Sequence, residues 1–250
     1  MCARLGVSIV VLCTTLVVPG RTALGQEDDG RWHTSLTPYV WLAGIKGQVG
    51  FADGIANIDM GVGDVLDRLD ISIRALLETR RGPWVARLDA TFVAMSDERA
   101  LEEGSQSAVL VELEQTVLQP ELGYTVLQAD WGGIDIVAGG RYWHPRVDVS
   151  ADAETGSIDV ASGSRSWFDA TGGVLLRARP AERWSFVAKG DVGAGGSKLT
   201  WQALGGLGFD VSSCCSLVGI YRHLDVDYDR DALVNNTYMS GAALGLEIRF

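Results

Sequence analysis

The chain of 250 residues carries 32 acidic and 21 basic side chains, a net charge of −11, with 47% apolar residues and 31 glycines. That apolar content excludes a disordered chain, and the acid excess excludes the basic footprint that nucleic-acid binding requires. The length suits one or two soluble domains, or a single barrel of about 10 to 12 strands, since a spanning strand takes roughly 9–11 residues.

Residues 1–25 read as a secretory signal. Arg4 supplies the positive start, and Val7 to Val18 form an apolar core too short to cross a bilayer as a helix. Pro19-Gly20 breaks the run, and Ala23-Leu24-Gly25 places small residues for cleavage before Gln26. Its removal leaves Cys214 and Cys215, adjacent in sequence, as the remaining cysteines. Neighbouring thiols cannot staple distant parts of a fold, and with scattered histidines they make no metal-ligand pattern; two small residues in a short turn account for them. A short segment, 26–32, then leads into a single domain at 33–250.

From there one unit repeats: roughly 10 to 16 residues of alternating character, then a turn, the pattern of a transmembrane barrel. Thr34 to Gly44 opens with Tyr39 and Trp41; Ile45 to Phe51 and Ile55 to Met60 flank the turn Ala52-Asp53-Gly54. Over 63–69 the alternation stops, and Asp64 is placed to cap one helical turn on the barrel rim. It resumes over 70–80, 84–96, 108–127, 131–149, 165–179, 184–194, 198–211, 217–228 and 238–250. Pro120 demands a bulge or a break in its strand.

Tight turns at 81–83, 128–130, 180–182 and 212–215 alternate with longer loops at 59–69, 97–107, 150–164 and 229–236. Short inner turns and long outer loops are the outer-membrane rule, and they put both termini in the periplasm. That requires an even strand count: twelve, with ten as the alternative if the first segment is extra.

The strand faces carry a second signal. Arg74/Glu78, Arg87/Asp89, Glu112/Glu114, Arg146/Asp148, Asp169/Arg177, Lys189/Asp191 and Glu247/Arg249 each share one face of a strand, opposite a greasy one. Placed in a lumen they form a ladder of paired charges, because an unpaired charge there is costly. Trp84, Trp131 and Trp184 fall at one interface; Trp143, Trp167 and Trp201 fall at the other, as two girdles. In the closing strand Tyr238, Leu244, Leu246, Ile248 and Phe250 face lipid, with Gly241, Ala243, Gly245, Glu247 and Arg249 on the lumen side.

Tyr39-Val40-Trp41-Leu42-Ala43-Gly44, Gly139-Gly140-Arg141-Tyr142-Trp143, Leu199-Thr200-Trp201-Gln202 and Tyr221 to Tyr228 resemble a widespread, largely uncharacterised group of small, porin-like Gram-negative outer-membrane β-barrel proteins. The likeness covers most of 33–250. It implies that Leu246 to Phe250, ending on Phe250, is the signal read by the barrel-assembly machinery. Where members often read Tyr-Arg-Tyr, this chain has His223. No catalytic residue is transferred by the resemblance.

Two chemical clusters stand out. His223 with Asp225 and Asp227 reads as one inward face near the outer rim, and His144 with Asp148 is a second copy; His with an acid could serve acyl transfer on lipid A or phospholipid. Ser150 and Ser166 lie near loops as weak nucleophile candidates. Salt-bridge partnership in the lumen is the plainer account of these residues. Asp225, Asp227, Asp229 and Asp231 imitate the start of a calcium loop, but Arg230 and Asn236 stand where an EF-hand needs Gly and Glu. Loosely held Ca2+ or Mg2+, bridging to lipopolysaccharide phosphates, is the remaining metal reading. The expectation is therefore an all-β, single-domain transmembrane barrel in the Gram-negative outer membrane, non-enzymatic, structural or a narrow pore for small solutes. Its partners are outer-membrane lipid and lipopolysaccharide. A rim enzyme and a surface receptor or adhesin with acidic loops are the alternatives, and the oligomeric state is open.

Overall fold

The computed structural model describes residues 30–51, 54–100, 108–153, 156–230 and 233–250. The signal at 1–25 lies outside them. The order is β1 (His33–Phe51), β2 (Gly54–Met60), α1 (Val62–Asp67), β3 (Leu69–Arg81), β4 (Trp84–Ala100), β5 (Ala108–Ala129), β6 (Gly132–Ala153), β7 (Gly156–Ser164), β8 (Trp167–Ala181), β9 (Trp184–Gly195), β10 (Leu199–Asp210), β11 (Cys215–Arg230) and β12 (Leu233–Arg249).

All pairings are antiparallel, and the sheet closes on itself where β12 joins β1, from Ser35 opposite Arg249 to Phe51 opposite Leu233. The wall consists of β1, β3, β4, β5, β6, β8, β9, β10, β11 and β12. Of the twelve strands, β2 and β7 stand outside this ring; β2 pairs the far half of β1, and β7 the far end of β6. Closure gives the wall strands a neighbour on both sides over most of their length, with a short stretch left open where β1 and β3 part, and so satisfies most of the backbone where lipid offers no partner.

One end of the barrel carries the tight turns. Gly82 takes φ 53° between β3 and β4, a left-handed conformation that glycine adopts without strain. The start of β1 and the last residue meet here, the Phe250 amide donating to the Thr34 carbonyl at 2.9 Å. At the other end strands run on as hairpins. Where a loop was expected over 150–164, residues 150–153 end β6 and pair with β7 at 156–164, and β4 and β11 continue into the stretches expected to be loops. An acidic, Ser-rich sequence is no bar to a ladder once a neighbouring strand supplies its hydrogen bonds. β5 has 22 residues, roughly 70 Å of strand at about 3.3 Å per residue. Even tilted by about 40°, it overtops an apolar band of about 25 Å.

Outside, Ile73, Leu122, Ile136, Val174, Val192, Leu217 and Leu244 are exposed on neighbouring strands and form a continuous apolar belt. A water-soluble protein rarely shows so large a patch; lipid requires one. At the turn end the belt is edged by Trp84 against Tyr124 (5.0 Å), Trp184 against Phe209 (5.0 Å) and Trp131. Its other edge carries Tyr142, Trp201, His223 and Tyr238, with ring spacings of 4.7 Å for Trp201–His223 and 5.3 Å for His223–Tyr238. Trp143 and Trp167, expected in this girdle, are instead inside the barrel. They stack on each other at 5.8 Å, and Trp167 stacks on Tyr228 at 4.0 Å.

Pro120 makes no bulge. It keeps its place opposite Leu88 of β4, while the β5–β6 ladder lapses at Gln119 and Pro120 and bulges later, between Thr125 and Leu127. α1 forms where alternation stops, its start fixed by the Gly61 amide donating to the Asp64 carboxylate at 2.9 Å. It lies against β1 in the wall, beside the stretch of β1 that no strand covers.

Candidate functional site

The lumen is built in three levels. At the turn end Asp210 of β10 accepts from Ser216 (2.6 Å), Arg249 (3.0 Å) and Arg179 (3.1 Å). Above it, fully buried Asp135 of β6 accepts from both Arg80 of β3 (3.0 Å) and Arg177 of β8 (2.9 and 3.0 Å), and from Thr125 (2.7 Å). Glu78 ties this group to Arg80 (2.6 Å) and Arg87 (3.1 Å).

The middle level crosses the barrel. Arg141 of β6, with 0% of its surface exposed, donates to Asp191 of β9 (2.6 Å), Thr200 of β10 (2.6 Å) and Gln119 of β5 (3.1 Å). Lys189 donates to Glu121 of β5 (2.6 and 2.7 Å) and pairs with Asp191 (3.0 Å). Gln202 of β10 donates to Gln119 (2.9 Å), although β6, β8 and β9 stand between their strands round the ring. Arg222 of β11 reaches Asp89 of β4 (2.8 Å), although β12, β1 and β3 stand between their strands, and on the way meets the hydroxyl of Tyr39 on β1 (3.0 Å). Tyr39 also donates to Asp89 at 2.7 Å. Such contacts join opposite walls directly. Nearly every polar atom at this level has a partner, which is what makes burial of these charges tolerable.

At the hairpin end the lumen turns apolar. Trp41, Val93, Met95, Val117, Trp143 and Leu224 line a cavity of about 1120 Å³, counted with the space it opens onto. Its floor is the charged middle level, through Arg74 and Arg222.

Of the proposed charge ladder, Arg74, Glu78, Arg87, Asp89, Asp169, Arg177, Lys189, Asp191, Glu247 and Arg249 lie on the inner faces of their strands. Glu112, Glu114 and Arg146 do not; they lie on outer faces, and Arg146 pairs there with Asp148 at 2.6 Å. These three stand beyond the apolar belt, where the outside of the wall meets water, so a charge there has no need of the lumen. Inside, the expected same-strand pair Lys189–Asp191 forms at 3.0 Å, but several other charges find different partners. Arg87 pairs with Glu78, Asp89 with Arg222, Arg177 with Asp135 and Arg249 with Asp210, while Asp169 accepts the Ser197 amide at 2.7 Å. In the lumen, side chains from other strands compete with residues two apart on one strand, and both kinds of contact occur, as in Arg222–Asp89 at 2.8 Å and Arg80–Glu78 at 2.6 Å. Sequence reasoning missed Tyr39, Arg80, Gln119, Glu121, Asp135, Arg141, Gln202 and Arg222. The available signal was a lone polar residue in mid-strand between glycine or apolar neighbours, as in Gly140-Arg141-Tyr142.

His223, Asp225 and Asp227 do not face inward. Arg222 claims the lumen for the even positions of β11, so His223 sits outside between Trp201 and Tyr238, with the two aspartates beyond it. His144 is outside too; its Nδ1 is 2.8 Å from Ser166 Oγ, which accepts from the Tyr142 hydroxyl at 3.0 Å. No carboxylate among the described residues bonds this imidazole, and Asp148 is engaged by Arg146. Asp229 pairs with Lys198 at 2.8 Å. Asp231 lies outside the described residues, among which no three His, Cys, Asp or Glu are grouped to hold a metal. Cys214, in the β10–β11 turn, and Cys215, which opens β11, form no disulfide, and their sulfurs stand 3.4 Å apart.

No protein-family model and no curated protein sequence matches the chain. Solved structures do. The outer membrane protease OmpT from Escherichia coli is similar with a TM-score of 0.54 at 9% identity, over 89% of this chain and 98% of that one. The translocator domain of the autotransporter NalP from Neisseria meningitidis gives 0.46 at 11% identity over 90% of each chain, and Ail of Yersinia pestis 0.36 at 12% over 88% and 98%. At such identities the likeness speaks to architecture alone. The chain has the closed antiparallel barrel fold of Gram-negative outer-membrane proteins.

Proposed function

We propose that this protein is an outer-membrane barrel with a sealed lumen, its turn end and both termini in the periplasm, which offers an apolar cup to the cell exterior. The observation that carries the reading is the middle level: Arg222–Asp89 and Gln202–Gln119 bonds run from wall to wall, with Arg141, Lys189 and their carboxylates buried among them. Polar solutes would have to break several charge-assisted bonds to pass. The orientation is supported by the tight turns sharing one end with the start of β1 and the last residue, as periplasmic ends do.

Conductance of the purified full chain in planar bilayers tests the seal. The wild-type barrel should give no steady open-channel current, whereas combined Gln119→Ala, Arg141→Ala and Gln202→Ala should admit ions. A stable current from the wild type overturns the sealed lumen and makes the protein a narrow pore. For orientation, with Cys214 and Cys215 replaced by Ser, a thiol reagent applied to intact cells should label Ser162→Cys and spare Glu182→Cys; the reverse pattern inverts the barrel.

A further inference from the structure

The cup has an uncompensated cation in its wall. Arg222 on the floor is neutralised by Asp89. Arg74, which also lines the cavity, is only 9% exposed yet has no carboxylate within ion-pair distance among the described residues. Its guanidinium lies 5.1 Å from the Trp41 ring and donates one bond, to the Trp41 carbonyl at 2.6 Å, while its Nε has no partner. The indole N–H of Trp143, on the same lining, is likewise unpartnered. The one acidic residue at the lining, Glu114, belongs to the outer face of β5 and is exposed.

Arg74 has a structural post besides. The β1–β3 ladder ends at Pro38 opposite Ala75, and from Tyr39 to Gly44 that edge of β1 has no strand partner. Arg74 bonds a carbonyl freed by this gap. A small cleft on the other side of the gap, lined by Val62, Val65, Leu66 and Ser72, shares Arg74 and Trp41 with the cup. One neutral donor would serve that carbonyl. A buried guanidinium costs several kcal/mol unless it is paired, so its charge and spare donors call for an anion delivered from outside the chain.

Resting on the cup reading above, we propose that the cup binds a small apolar monocarboxylate, its hydrocarbon or aromatic body among Val93, Val117 and Leu224 and its carboxylate on Arg74. The planar guanidinium fork matches a carboxylate in shape and charge. Most of the contact is apolar, and the single charged bond sets the selectivity.

Equilibrium dialysis of the full chain in nanodiscs, against empty nanodiscs, with octanoate, octanol and octylammonium as probes, tests this. Octanoate should bind saturably and about 10- to 100-fold more tightly than octanol, the worth of a charged hydrogen bond, and octylammonium should not bind. Arg74→Gln should remove the preference while keeping octanol binding, and Arg74→Lys should restore part of it. Heat-modifiable gel mobility establishes that each variant is folded, and the wild-type preference stands as a test even if Arg74→Gln does not fold. Equal binding of octanoate and octanol, or undiminished octanoate binding by folded Arg74→Gln, overturns the Arg74 assignment and leaves the cup. Absence of saturable binding for all three probes overturns the cup and this proposal together.

Discussion

Near the turns, the wall of this barrel is apolar outside and charged inside; near the hairpins the two faces exchange character. On β5, Leu118, Leu122 and Tyr124 point out and Gln119 and Glu121 point in, whereas further along the same strand Glu112 and Glu114 point out and Leu113 and Val117 point in. β6 repeats the exchange, with Ile136 outside Asp135 in the lower half and Arg146 outside Val147 in the upper. The strands run on through the crossover, with only the β5–β6 ladder lapsing at Gln119 and Pro120. What changes is the solvent: lipid wets the lower outer face, and water wets the upper one. The aromatic belt of Tyr142, Trp201, His223 and Tyr238 marks the boundary, since such rings favour the interface. One lesson is that polarity along a strand reports two environments in succession, so a charge on a strand face does not by itself mean lumen.

Three substitutions would break or sharpen this contrast. The largest effect is expected inside the lower half. Asp191→Ala leaves buried Arg141 without its carboxylate and Lys189 with Glu121 alone and should cost about 3–5 kcal/mol, read from urea titration of the barrel refolded in vesicles; a loss under about 1 kcal/mol would mean that water reaches this level. Next comes the lipid face. Leu122→Arg, on the exposed belt, should cost roughly 2–4 kcal/mol in the same titration, and an unchanged midpoint would place Leu122 outside the bilayer. The smallest effect belongs to the outer face of the upper half. Arg146→Ala removes an exposed pair with Asp148 and should shift stability by less than about 1 kcal/mol. A penalty comparable to that of Leu122→Arg would show that lipid extends past the upper girdle and would erase the contrast.

The closing strand was legible from Tyr238 onward, while its start, Leu233 to Asn236, was expected as a loop. Tyr238, Leu244, Leu246 and Ile248 alternate with Gly241, Ala243 and Gly245 clearly enough to fix both faces, and the lower half of the barrel shares that clarity. β11 was not legible. Between His223 and Tyr228 polar and apolar residues alternate just as cleanly, yet the faces are reversed, because the parity of the strand is set by Arg222 and its partners Asp89 and Tyr39. Trp143 went astray for the same reason, since it shares its face with Arg141, whose partners lie on β5, β9 and β10.

By itself, then, the chain's order of residues determined that it would form strands, where they would turn, and that each strand would divide into two unlike faces, because period-two alternation and turn chemistry act over neighbouring residues. Which face would look inward above the girdle, which charges would meet and where an apolar cup would open were decided by the closed barrel. Those outcomes depend on groups as far apart as Tyr39 and Arg222, 183 positions from each other, which only closure of the sheet brings within hydrogen-bonding distance.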